Sequence, residues 1–212
     1  MLLPEGKTYI LPLTYTGVAA IYNKKALADT GKGEPKTWSE VLQLCDAAKK
    51  KGKVAFALGN QTPWVTQLID YALVSTTVYA KNPDFNTQQK AGKANFVDSG
   101  WKTAMEKYLQ MNKRGCFSKD PLGTSVDTAN EQVAKGSAVA AVQVLAVAGQ
   151  IKAAAPAGTE FGTFALPPGP DGRDVQERLT RPGHAPARQP PRHPQPGAPA
   201  VRPVYPNPED RK

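Results

Sequence analysis

"PKTWSEVLQLCDAAKKKGKVAFALG", Pro35 to Gly59, holds a helix and a strand back to back. Thr37 is placed to cap the helix, and Glu40 three residues later completes a Thr-x-x-Glu capping box. Trp38, Val41, Leu42, Cys45 and Ala48 recur at helical spacing and define one buried face. Lysines gather in the last turn, where the helix dipole favours cations, and Gly52 stops the helix. Lys53–Gly59 then reads as a strand apolar enough to be buried on both faces.

Working outward, the same alternation recurs. Residues 8–22, "TYILPLTYTGVAAIY", read as two short extended stretches, because Pro12 and Gly17 break any helix. Asn23–Gly31 reads as a short helix with a glycine stop. Downstream, Thr62 and Pro63 read as the cap and first position of a helix carrying Val65, Leu68, Ile69, Ala72 and Leu73. Residues 81–98 are polar and read as a loop with a short turn of helix. A helix capped by Ser99 and stopped by Gly115 follows, then a weaker one over 125–135. Ser137–Val142 reads as a strand, 146–154 as a helix and Glu160–Pro167 as a last strand. Strands alternating with helices predict an α/β domain, a largely parallel sheet flanked by helices.

The net charge of +9 invites an anionic partner, but it is unevenly made. Residues 1–172 carry 18 Lys and one Arg against 14 acids; residues 173–212 carry seven Arg and one Lys against four. Ten of the 20 prolines and both histidines, His184 and His193, lie in those last 40 residues. Such a segment has too few large apolar residues for a core, and we read 173–212 as a disordered Arg/Pro-rich tail. Its Arg, Pro, Ala and Gly are what GC-rich codons yield when translated out of frame. A proline-rich recognition segment, for example around Pro191–Pro194, is the other reading, and with it a truncated interaction protein whose basic tail meets an acidic or adaptor partner. The start, "MLLPEGKTYILPLTY", has no basic leader followed by an apolar core, and no run of 18 apolar residues exists to span a membrane.

The body, residues 1–172, has no histidine, which removes the common triads, imidazole acid–base catalysis and histidine metal sites. No Gly-rich phosphate loop or nucleophile elbow is present, and the acids are dispersed. The expectation is a non-enzyme with no metal and no cofactor. Cys45 reads as a core thiol; a disulfide with Cys116 is an open alternative. What remains is binding. Beyond the strand at 53–58 comes "GNQTPW", where Asn60, Gln61 and Thr62 offer neutral hydrogen-bonding groups and Trp64 a flat apolar face. Amides that pair with hydroxyls, beside an indole that covers C–H surface, suit a polyhydroxylated ligand. Gln143 follows the strand at 137–142. For Trp64 a core anchor is the competing reading, and for Asn60 and Gln61 ordinary turn chemistry.

Pro12, Tyr15, Tyr22, Asn23, Pro35, Thr37, Trp38 and Glu40, in this order and spacing, resemble the family 1 extracellular solute-binding proteins of ABC importers, the sugar-binding group. "VAKGSAVAAVQ" and "EFGTFALPPGPDG" resemble the family's later strands, so the likeness covers roughly residues 5–172. It implies a periplasmic-binding-protein-like fold of two α/β lobes with ligand held in the cleft between them. Residues 1–172 would be the second lobe with its hinge strands: Thr8–Asn23 crossing in and Glu160–Pro167 crossing back. Tyr15, Asn60, Gln61, Trp64 and Gln143 fall where the family lines its cleft. The implied partners are a small solute, in the first place a carbohydrate, and ABC permease subunits, with no nucleic acid. The implied location is extracellular and membrane-anchored, although this sequence shows no export signal. One departure stands out: where the family often places a sugar-stacking aromatic, this sequence reads "VLA", Val144 to Ala146.

Overall fold

The computed structural model describes residues 16–169. Its elements run β1 (Val18–Asn23), α1 (Lys24–Asp29), α2 (Trp38–Lys50), β2 (Val54–Phe56), α3 (Val65–Val74), α4 (Phe85–Lys90), α5 (Gly100–Arg114), α6 (Val126–Ala134), β3 (Ala138–Val144), α7 (Ala148–Ala153) and β4 (Phe161–Phe164). A π-helical segment, Ser75–Tyr79, continues α3, and a short 3-10 turn, Leu145–Val147, precedes α7. Tyr15, the start of the first extended stretch and the Arg/Pro-rich tail lie outside the described residues.

The α/β expectation holds, with one correction to the sheet. Its strand order is β2-β3-β1-β4. β2 and β3 pair in parallel, whereas β1 is antiparallel to both of its neighbours, β3 and β4. Three strands thus share one direction and β1 is inserted against them, so "largely parallel" fails for two of the three pairings. The reason lies in the connections. The chain leaves β1 at the end of the sheet where β2 begins, so α1 with its following loop and then α2 make two passes and return it to that end, and β2 sets off in the opposite sense.

The helix signals are realised in detail. The Thr37 side chain accepts from the Glu40 N–H, and Glu40 answers on the Thr37 N–H, so both halves of the capping box form. The buried face of α2 is Trp38, Val41, Leu44, Cys45 and Ala48. Leu44 thus takes the place expected for Leu42, which is half-buried. Gly115 ends α5 at φ +74°, a left-handed conformation that a side chain would oppose. Asn23 caps α1 through its Oδ1, while its Nδ2 donates to the Val133 and Ala134 carbonyls that close α6. The Tyr-Asn pair is therefore a structural joint. Burial, with Glu34 as hydrogen-bond partner and charge, pushes the Tyr22 phenol up to about 12.

The larger core packs α2, α3 and α5 on one face of the sheet around Phe56, Leu73, Met111 and Leu166; a smaller one places Ile21, Val133 and Ile151 on the other. Cys45 and Cys116 are both buried and joined in a disulfide, with their Cα atoms 4.8 Å apart. The core-thiol reading of Cys45 is thereby corrected. α2 and the end of α5 are brought side by side, tied also by the ion pair of Arg114 with Asp46 at 2.6 Å. Lys107 lies 3.8 Å from the centroid of the Trp38 ring. Burial, with Lys81 nearby, draws its ammonium down to about 8, and the ring face opposes that shift.

Candidate ligand-binding site

β2 delivers the chain to the carboxyl end of the parallel pair, the end where open α/β sheets hold ligands. The Ala57 N–H still donates to Ala140, but from Gly59 on the backbone turns to a different partner. Gly59 lies so close to Ser125, at the start of α6, that a Cβ there would overlap the Ser125 carbonyl. The Asn60 N–H then donates to the Pro121 carbonyl at 2.7 Å, and the Gln61 N–H to Thr124 at 3.1 Å. The loop is thus clamped to the segment 120–125, which is itself held by Asp120 through the Gly123 N–H.

Thr62 does not cap α3 with its side chain. Its carbonyl accepts from the Val65 N–H in a tight turn, and α3 starts at Val65 with no side-chain cap. The backbone before it is already committed to the 120–125 segment. The turn leaves Gln61 exposed and Trp64 45% exposed, so Trp64 is no core anchor. Asn60 is half-buried, and its Oδ1 is enclosed without a hydrogen-bond partner. Beside it stands the Tyr108 phenol, pushed up by burial. Asp70 adds a second enclosed, unpartnered oxygen, and burial raises its carboxyl to about 6.

Asn60, Gln61 and Trp64 are therefore brought together on one loop. Gln143 lies near the same end of the sheet, in β3 opposite Ala19, but only 2% of it is exposed. Its Nε2 donates to Asn130 Oδ1 of α6 at 3.1 Å. Tyr15 lies outside the described residues. Two exposed apolar residues that the sequence reading missed lie at the same end of the sheet: Leu122, 75% exposed in the clamping segment, and Leu145, 37% exposed where its N–H donates to Gly17. The available signal was a large apolar residue in a loop beyond a strand's carboxyl end. Among the described residues no group of His, Cys, Asp and Glu is arranged to hold a metal.

Residues 1–189 match the family of bacterial extracellular solute-binding proteins. The chain belongs to that family. The resemblance drawn from Pro12 to Glu40 is borne out, and the tail-centred interaction module gains no support. The diacetylchitobiose binding protein NgcE of Streptomyces coelicolor is 38% identical over 71 residues, 32% of this chain and 15% of that protein. Among solved structures, a chitin oligosaccharide binding protein superposes with a TM-score of 0.66 at 23% identity, over 80% of this chain and 43% of the other. A sugar transporter protein from Bacillus licheniformis, solved with stachyose, gives 0.60 at 17% identity, over 79% and 43%. The solute-binding protein RafE with raffinose gives 0.60 at 20%, over 74% and 41%. The solved structures share the fold. The chain spans less than half the length of each of them. Among the described residues no helix is long and apolar enough to cross a membrane.

Proposed function

We propose that this chain supplies one wall of a carbohydrate-binding cleft in the extracellular solute-binding component of an ABC importer. The observation that carries the reading is the exposed Trp64 indole held beside the Asn60 and Gln61 amides on a clamped loop at the carboxyl end of β2. The indole and the Leu122 and Leu145 side chains offer apolar surface to sugar C–H faces, and the amides offer donors and acceptors to hydroxyls. Tyr15, outside the described residues, belongs to the same proposal through the family resemblance alone. Gln143 acts from behind: its bond to Asn130 ties β3 to α6, and the segment just before α6 holds the Asn60 loop through Pro121 and Thr124.

Capture in this reading is non-covalent. β1 and β4 are adjacent antiparallel strands and serve as the two hinge crossings, residues 1–172 forming one lobe. Closure of a second lobe over the wall buries the sugar and presents the closed form to membrane permease subunits. Membrane anchoring outside the cell belongs to the same reading. A relative named for diacetylchitobiose and structures solved with raffinose and stachyose support an oligosaccharide as ligand. Calorimetric titration with diacetylchitobiose, raffinose and a non-sugar solute such as an amino acid tests it. Sugar-selective binding that Trp64→Ala weakens is expected. Binding of the amino acid alone, or sugar binding indifferent to Trp64, overturns it.

A further inference from the structure

We propose that the end of the sheet opposite the Asn60–Trp64 loop is an electrostatic docking face for an anionic phospholipid surface. Cations collect there by construction of the fold. α2 ends in Lys49, Lys50 and Lys51 and leads through Lys53 into β2. α5 ends in Lys113 and Arg114, beside α2 through the Asp46 pair. Lys135 leads into β3, and Lys24 and Lys25 follow directly from the end of β1. Lys152 of α7 shares a groove with Lys24 and Glu160.

Among residues 16–169 this end holds ten Lys or Arg against five acids, Asp29, Asp46, Glu131, Glu160 and Glu34, whose charge reaches Lys24, while the remainder holds eight against seven. Most of the charge excess of the described residues therefore sits at one end. Helix dipoles account for lysines in the last turns of α2, α5 and α7. They do not account for Lys24 and Lys25, which stand in the first turn of α1, where the dipole disfavours cations, or for Lys53 before a strand. A groove of about 630 Å³ opens in this face, lined by Lys24, Lys25, Lys53 and Lys135 and by Asp29 and Glu160.

The chemistry favours a lipid surface over a nucleic acid. Nine of the ten cations are lysines, flexible point charges suited to a diffuse layer of headgroups, and only Arg114 could grip a phosphate in bidentate fashion. Among the described residues the well-exposed aromatic side chains, Trp64, Tyr71 and Phe96, lie on other elements, and this face offers only the half-buried Phe161 ring, too little for a row of stacked bases.

The test is co-sedimentation of the full chain with vesicles of phosphatidylcholine alone or with about 30% phosphatidylglycerol, at about 20 and about 150 mM salt. Two charge-matched variants are compared, because residues 173–212 carry cations of their own. Lys25→Gln, Lys50→Gln, Lys51→Gln and Lys113→Gln together remove four exposed cations from the face. Lys36→Gln, Lys81→Gln, Lys90→Gln and Lys102→Gln together remove four from elsewhere. Expected is salt-sensitive binding to the anionic vesicles only, reduced roughly tenfold or more by the first set and less than about threefold by the second. Lys25→Gln with Lys113→Gln alone should give an intermediate loss, and circular dichroism checks that each variant is folded. Equal losses from both sets, no wild-type binding at low salt, or tighter binding to a soluble single-stranded oligonucleotide than to vesicles would each overturn the proposal.

Discussion

Replacing Cys45 and Cys116 together by alanine opens the disulfide without leaving a free thiol. The bridge joins residues 71 apart, and in the chain-entropy account closing a loop of that length removes about 4 kcal/mol of unfolded-state freedom. Both sulfurs are buried, Cys45 at 1% and Cys116 at 0% exposure, so lost packing adds to the effect rather than offsetting it. A domain of this size is stable by about 5–15 kcal/mol, so the bridge carries a large share. For about 150 ordered residues, that loss corresponds to a melting temperature lower by roughly 8–16 °C. The assay is urea and thermal unfolding followed by circular dichroism, on the oxidised wild type, the wild type in reductant and the double variant. The variant and the reduced protein should fall together, with a steeper urea slope than the oxidised wild type, because the unfolded chain without its cross-link exposes more surface. A shift of less than about 1 kcal/mol in both would refute the reasoning. So would native protein that titrates two thiols with a thiol reagent.

Gly59→Ala should destabilise the protein by about 1–3 kcal/mol, since the Cβ meets Ser125 backbone that cannot swing aside; urea unfolding reads this, and sugar affinity should fall with it as the Asn60 loop shifts. Asp70→Asn should stabilise at neutral pH. Its carboxyl sits at about 6 in the folded state, above its unfolded value near 4, so its unfavourable contribution grows as pH rises from about 4 to 6 and is constant above. After discounting for partial exposure the gain should be about 1 kcal/mol at pH 7 and absent below pH 4, measured as a melting-temperature difference across pH. Trp64→Ala should change stability by less than about 0.5 kcal/mol, because the indole is half exposed, yet weaken sugar binding by at least about fivefold in titration calorimetry.

The elements that local chemistry decides were legible: the capping box at Thr37 and Glu40, the Ser99 cap, the glycine stop at Gly115. The elements that tertiary contacts decide were not. Nothing local to Thr62 reveals that the preceding backbone is spoken for by Pro121 and Thr124. The π-helical continuation of α3 has no composition signal, and β1's antiparallel placement follows only once α1 and α2 are counted as two separate passes. A cysteine pair 71 residues apart cannot be told from two core thiols until the helices bearing them are packed. The site divided the same way. Asn60, Gln61 and Trp64 are neighbours in sequence and were found together, whereas Leu122 and Leu145 reach the same end of the sheet only through the fold.

The most direct test of the account is a ¹H–¹⁵N correlation titration of the chain with diacetylchitobiose, because it reports weak binding residue by residue. The account predicts progressive, saturable shifts at the Asn60 and Gln61 amides and the Trp64 indole, with the groove at Lys24, Lys53 and Lys135 unmoved. Shifts confined to that groove, or none anywhere at millimolar sugar for diacetylchitobiose and raffinose alike, would contradict it.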